Sequence, residues 1–75
     1  MQMAKTVWTE QLIAEAISRK ERGIRLRKLG DGTILRERER FYGIYRSLLM
    51  ANEPTTEYYV TYKAYDNIAK ERGLL

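Results

Sequence analysis

Two short breaks, Gly30-Asp31-Gly32 and Asn52-Glu53-Pro54, cut this chain into three stretches whose apolar residues recur at helical spacing. In the first, from Trp8 to about Arg22, Trp8, Leu12, Ile13, Ala16 and Ile17 share a face. Thr9 can cap it by accepting from a free N–H of the first turn, and Glu10 suits the positive end of the helix dipole. Trp8 then precedes the cap and is expected to pack on Ile13 as part of the core. Arg19, Lys20 and Arg22 fill the last turn, and Gly23 is expected to close the helix. The second stretch, Thr33 to about Ala51, places Ile34, Phe41, Tyr45, Leu48 and Leu49 on one stripe, with Leu35 and Ile44 at its margins. The third runs from Thr55 or Thr56 to Arg72, with Tyr58, Tyr62, Tyr65, Ile68 and Ala69 facing inward. Gly73 closes it and Leu74 folds back on the last turn. The expected fold is a single all-α, three-helix domain spanning residues 1–75, with a helix-turn-helix arrangement among the forms open to it.

Residues 23–33 leave two readings. Ile24-Arg25-Leu26-Arg27 alternates apolar and basic before the Gly-Asp-Gly turn, which suits a short hairpin pairing 24–29 with 33–36. The alternative is an irregular loop pinned to the core by Leu26 and Leu29. The loop is preferred, because a two-stranded hairpin has little stability without a third strand.

The composition narrows function more by exclusion than by motif. The chain has 75 residues, no His and no Cys. It therefore offers no disulfide, no usual zinc, haem or iron–sulfur ligand, and no imidazole base. Ser18 and Ser47 have nothing to activate them, and the lone Gly-Asp-Gly is not a phosphate loop. Neither an enzyme nor a cofactor is expected. No apolar run is long enough to span a membrane, and no signal peptide is evident, so a cytoplasmic location is expected.

The net charge of +4 is unevenly placed. Between residues 19 and 40, Arg19, Lys20, Arg22, Arg25, Arg27, Lys28, Arg36, Arg38 and Arg40 face Glu21, Asp31, Glu37 and Glu39, an excess of +5. The two flanking segments together carry −1, with Lys5, Arg46, Lys63, Lys70 and Arg72 against Glu10, Glu15, Glu53, Glu57, Asp66 and Glu71. A localised basic field points to a polyanion. The plainer reading of Arg36-Glu37-Arg38-Glu39-Arg40 is a solvated helix face laced by pairs three residues apart. Six tyrosines are also present; Tyr42 and Tyr59 fall away from the core stripes, where they suit a partner surface.

Trp8-Thr9, Leu12-Ile13, Ile17, Arg19, Gly23 and Leu26 at one end, and Pro54-Thr55, Tyr59, Tyr62, Tyr65, Ile68-Ala69 and Gly73-Leu74 at the other, resemble the small Myb-like helix-turn-helix repeats found beside homing endonucleases. That family usually has Trp at the place of Tyr65, after a Gly-Ser where this chain has Lys63-Ala64, and it needs fewer residues than 29–53 in the middle. The resemblance implies nucleic-acid binding, with Lys63, Asp66, Asn67 and Lys70 of the last helix offered to the major groove. The leading expectation is thus a small double-stranded DNA-binding protein. Arg25, Arg27, Lys28, Arg36, Arg38 and Arg40 would hold phosphates, and Lys63, Asn67 and Lys70 would face bases. The alternative is a protein-interaction module meeting an acidic partner, or a homodimer, through Tyr42 and Tyr59.

Overall fold

The computed structural model describes residues 7–75 and folds them into three helices, α1 (Glu10–Leu26), α2 (Asp31–Met50) and α3 (Thr56–Glu71). Residues 1–6 of the expected domain lie outside the described residues. The Leu12 N–H donates to the Thr9 hydroxyl at 3.1 Å, so Thr9 caps α1 as its sequence predicts. The ends of α2 and α3 share one closure. After α2, Asn52 takes a positive φ of 63°, and Glu53 N–H reaches back to the Leu48 carbonyl at 2.9 Å. After α3, Gly73 takes φ 70°, and Leu74 N–H reaches the Ala69 carbonyl at 2.9 Å. Leu74 then rests against the core, as expected.

The first helix does not stop at Gly23. It continues to Leu26, and residues 27–30 reverse the chain in a tight turn; no strand forms among the described residues, so the hairpin is excluded, and the preferred loop shrinks to this turn, with Leu29 packed on the core but Leu26 83 % exposed rather than pinned to it. The balance of energies explains this. Glycine inside a helix costs about 1 kcal/mol against alanine. Extending the helix by a turn buries Ile24 to 4 % exposure, and burying such a side chain contributes about 2 kcal/mol. The reversal falls on Lys28, whose φ is 49°.

α3 is the central element. The backbones of α1 and α2 each approach α3 closely and stay apart from each other. Glu21 and Arg25 of α1 meet Asn67 and Glu71 of α3, a constant offset of 46 residues, so these helices run parallel. Along α2, Arg38 meets Asp66, Tyr42 meets Tyr62 and Tyr45 meets Tyr59, so α2 and α3 run antiparallel as a hairpin. A helix-turn-helix instead crosses its helices at about 90–120°.

The core lies at one end, where Ile24, Ile34, Ala64, Tyr65, Ile68 and Ala69 are buried together, with Leu29 and Leu35 packed around them. Ile34 is fully buried. At the other end the expected stripes are only half covered. Leu49 is 55 % exposed, and Tyr58, expected in the core, is 39 % exposed. Trp8 is half-buried rather than central. No described helix is long and apolar enough to cross a membrane.

Truncating Ile34 to alanine is expected to cost about 3 kcal/mol, most of the margin of so small a domain, whereas Leu26→Ala, at an 83 % exposed site, should change stability by under about 0.5 kcal/mol. Urea melts followed by circular dichroism check both.

Candidate functional site

The cations expected to bind phosphate divide into two groups, and the division follows from which acids the fold brings near them. Asp66 organises the first group. It sits on α3 at 3 % exposure, where a bare carboxylate would be costly. Arg38 donates to it at 2.8 Å, Lys70 approaches at 3.0 Å and Lys63 at 3.7 Å. Burial by itself would raise the Asp66 pKa. The hydrogen bonds and charges of Arg38 and Lys70 outweigh burial and hold it below the usual carboxylate range. The Arg38 guanidinium also lies 5.7 Å from the Tyr62 ring centroid.

Other expected contacts also meet partners within the molecule. Arg40 pairs with Glu37 at 3.0 Å and covers the Phe41 ring. Asn67, expected to read a base, donates to Glu21 at 3.2 Å and is half-buried. Lys63 and Lys70, expected beside it, lean on Asp66. On the face of α3 that the resemblance offers to a groove, Asn67 and Asp66 thus bond α1 and α2, while Lys63 and Lys70 pair with Asp66 within α3 and Lys70 stays 60 % exposed. Tyr42 and Tyr59, expected as partner contacts, belong to an aromatic ladder between α2 and α3, at 5.0 Å from Tyr62 and 5.4 Å from Tyr45. Tyr42 stays 38 % exposed, as its place off the stripe predicts, whereas Tyr59 is half-buried because the antiparallel partner covers a flank of its helix as well as the central stripe.

The second group is different. Among the described residues, Arg19, Lys20, Arg22, Arg27 and Lys28 are exposed and make no ion pair. These five lie on the second half of α1 or in the turn after it, while Arg36 and Arg46, spaced along α2, are likewise exposed without an ion pair among the described residues. Arg22, Arg25, Leu26 and Lys28 line one shallow depression, and Arg19 and Arg22 line the next, beside Ser18 and Glu15. Arg25 spans both groups: it bonds Glu71 at 2.9 Å and Glu21 at 3.2 Å, yet its side chain stays 44 % exposed. So Arg25 and Lys28 come together with Arg27 near by, whereas Arg36 stands outward on α2 and Arg38 and Arg40 are paired elsewhere. Arg19 and Arg22 were not among the expected contacts. The signal that finds them is helix length: once α1 continues through Gly23, Arg19, Arg22 and Leu26 fall on one outward face.

Among the described residues no cluster of acids is placed to hold a metal ion. Comparison with known proteins found no matching family model, no similar curated protein and no similar solved structure.

Asp66→Asn is expected to cost about 2 kcal/mol at neutral pH, because charge-assisted bonds from Arg38 and Lys70 are weakened. The folded pKa of Asp66 lies below its unfolded value, so its contribution is complete above the unfolded pKa of about 3.9 and is lost as pH falls through the lower folded value. Denaturant melts between neutral and acidic pH should therefore show a smaller acid loss in the variant than in the parent.

Proposed function

We propose that this protein binds nucleic acid through the basic face formed by the second half of α1 and the turn that follows. The observation carrying this reading is the cluster of exposed, unpaired cations around Leu26, in a molecule whose other cations largely pair with its own acids. Arginine supports it further, since its planar fork grips phosphate with two bonds at once. Four or five neutralised phosphates give a logarithmic salt slope of about −4 on duplex DNA. Contacts of this kind position the backbone and carry little sequence information. The reading thus keeps the expected partner class and the expected Arg25, Arg27 and Lys28, leaves out α3 and the start of α2, and adds Arg19, Lys20 and Arg22 of α1.

The backbone at Lys28 adds support. A lysine at positive φ costs roughly 1 kcal/mol, a strain glycine would relieve. Strain of this kind gathers at functional positions. Lys28→Gly is expected to raise stability by about 0.5 kcal/mol while lowering nucleic-acid affinity and making the salt slope shallower by about one unit. Anisotropy titrations of a labelled duplex at several salt concentrations, run beside denaturant melts, check both effects. Loss of binding together with gained stability cannot come from unfolding. Arg22→Glu should weaken binding several-fold more, and Arg36→Ala, on the outward face of α2, should leave it within about twofold.

A second reading, a protein-interaction module or homodimer, is favoured by the adjacent Leu49 and Met50, 55 % and 82 % exposed at the end of α2. It expects a dimer mass in light scattering that returns to monomer in the Leu49→Glu, Met50→Glu variant.

A further inference from the structure

Because α1 and α2 stay apart, a groove opens between them over α3. At the core end Ile34 fills it. At the other end it remains open, with a volume of about 390 Å³, within the range of about 300–1,000 Å³ usual for ligand sites. Ala16 and Val60 form its buried lining, and Trp8, Lys20, Phe41, Glu57, Tyr58 and Thr61 form its walls.

We propose that this groove takes an unpaired base of the strand whose phosphates lie on the basic face. The inference rests on the nucleic-acid reading above and narrows its partner to single-stranded segments. The walls match that occupant in kind. Trp8 is half-buried and Tyr58 is 39 % exposed, so both keep ring surface open for stacking. Stacking on an aromatic ring suits every base, since each has a π face. Lys20 stands on the groove side of α1, next in sequence to Arg19 on the outward face. A strand crossing the ridge of α1 thus meets cations on both sides of it. Glu57 makes no ion pair among the described residues and lines the same groove. Its carboxylate repels a phosphate but can accept from a base amino group, as on cytosine. The Thr61 hydroxyl donates to the Glu57 carbonyl at 3.0 Å, which leaves its oxygen able to accept. An ammonium and a carboxylate in the walls disfavour a wholly apolar plug. A base inside a duplex cannot enter, because its faces are already stacked.

Trp8 is the only tryptophan and lies in the groove, so its emission reports the occupant. The test uses three labelled DNA ligands of equal length: a cytosine-rich single strand, an abasic strand with the same phosphates, and a duplex. Label anisotropy reads binding, and Trp8 emission reads groove entry. The expected result is binding of all three, with emission quenched strongly by the base-bearing single strand alone. Tyr58→Ala should then weaken single-strand binding by roughly fivefold or more and leave duplex binding within about twofold. Binding without selective quenching, or equal quenching by the abasic strand, overturns the base pocket and leaves the basic face standing. No binding of any ligand at low salt overturns both. Quenching with Tyr58→Ala unchanged in affinity overturns the stacking role.

Discussion

Everything in this fold depends on α3 being packed by two helices whose backbones stay apart from each other. A helix in that position must present a wide apolar face, and α3 does so over about half its circumference with Val60, Ala64, Tyr65, Ile68 and Ala69. Ala64 and Ala69 are fully buried, and their small side chains let the neighbouring backbones come close. The one carboxylate buried in the same helix, Asp66, would oppose this packing if left alone. Arg38 reaching across from α2 makes it tolerable and at the same time fixes how α2 lies against α3. The tyrosine ladder continues that register toward the far end of the hairpin.

The same packing decides the electrostatics of the surface. Glu21, Asp31, Glu37, Glu39, Asp66 and Glu71 each meet a cation of the chain. Several of these pairs, such as Arg25 with Glu71 and Arg72 with Asp31, join α3 to the end of α1 or the start of α2. Exposed pairs of this kind add at most about 1 kcal/mol each, so their larger effect is on position and charge. They neutralise α3 and much of α2. The outer face of α1 has few acids to meet, and its arginines stay available. The basic surface is in this sense a residue of how the interior was satisfied.

The two ends of the molecule differ for a related reason. Four large apolar side chains, Ile24, Ile34, Tyr65 and Ile68, close one end around the tight turn. With the backbones of α1 and α2 apart over α3, the gap at the other end stays open. Trp8 reaches the groove from just before α1, leaving an aromatic-walled recess. The closed core and the open recess thus lie at opposite ends, with the basic face around the turn at the closed one.

The sequence by itself determined the three helices, their caps at Thr9 and Gly73, and the break at Asn52-Glu53-Pro54. These follow from local rules, namely helical periodicity, hydrogen-bonding side chains and residues that accept positive φ. Only the tertiary structure decided that α1 passes through Gly23, since the burial of Ile24 outweighs a local preference. It also decided which cations are paired. Arg38 and Arg27 look alike in the chain, but one lies opposite Asp66, 28 residues away, and the other makes no ion pair among the described residues. The partner of a charge is set by the packing of distant helices, and no local pattern carries that information.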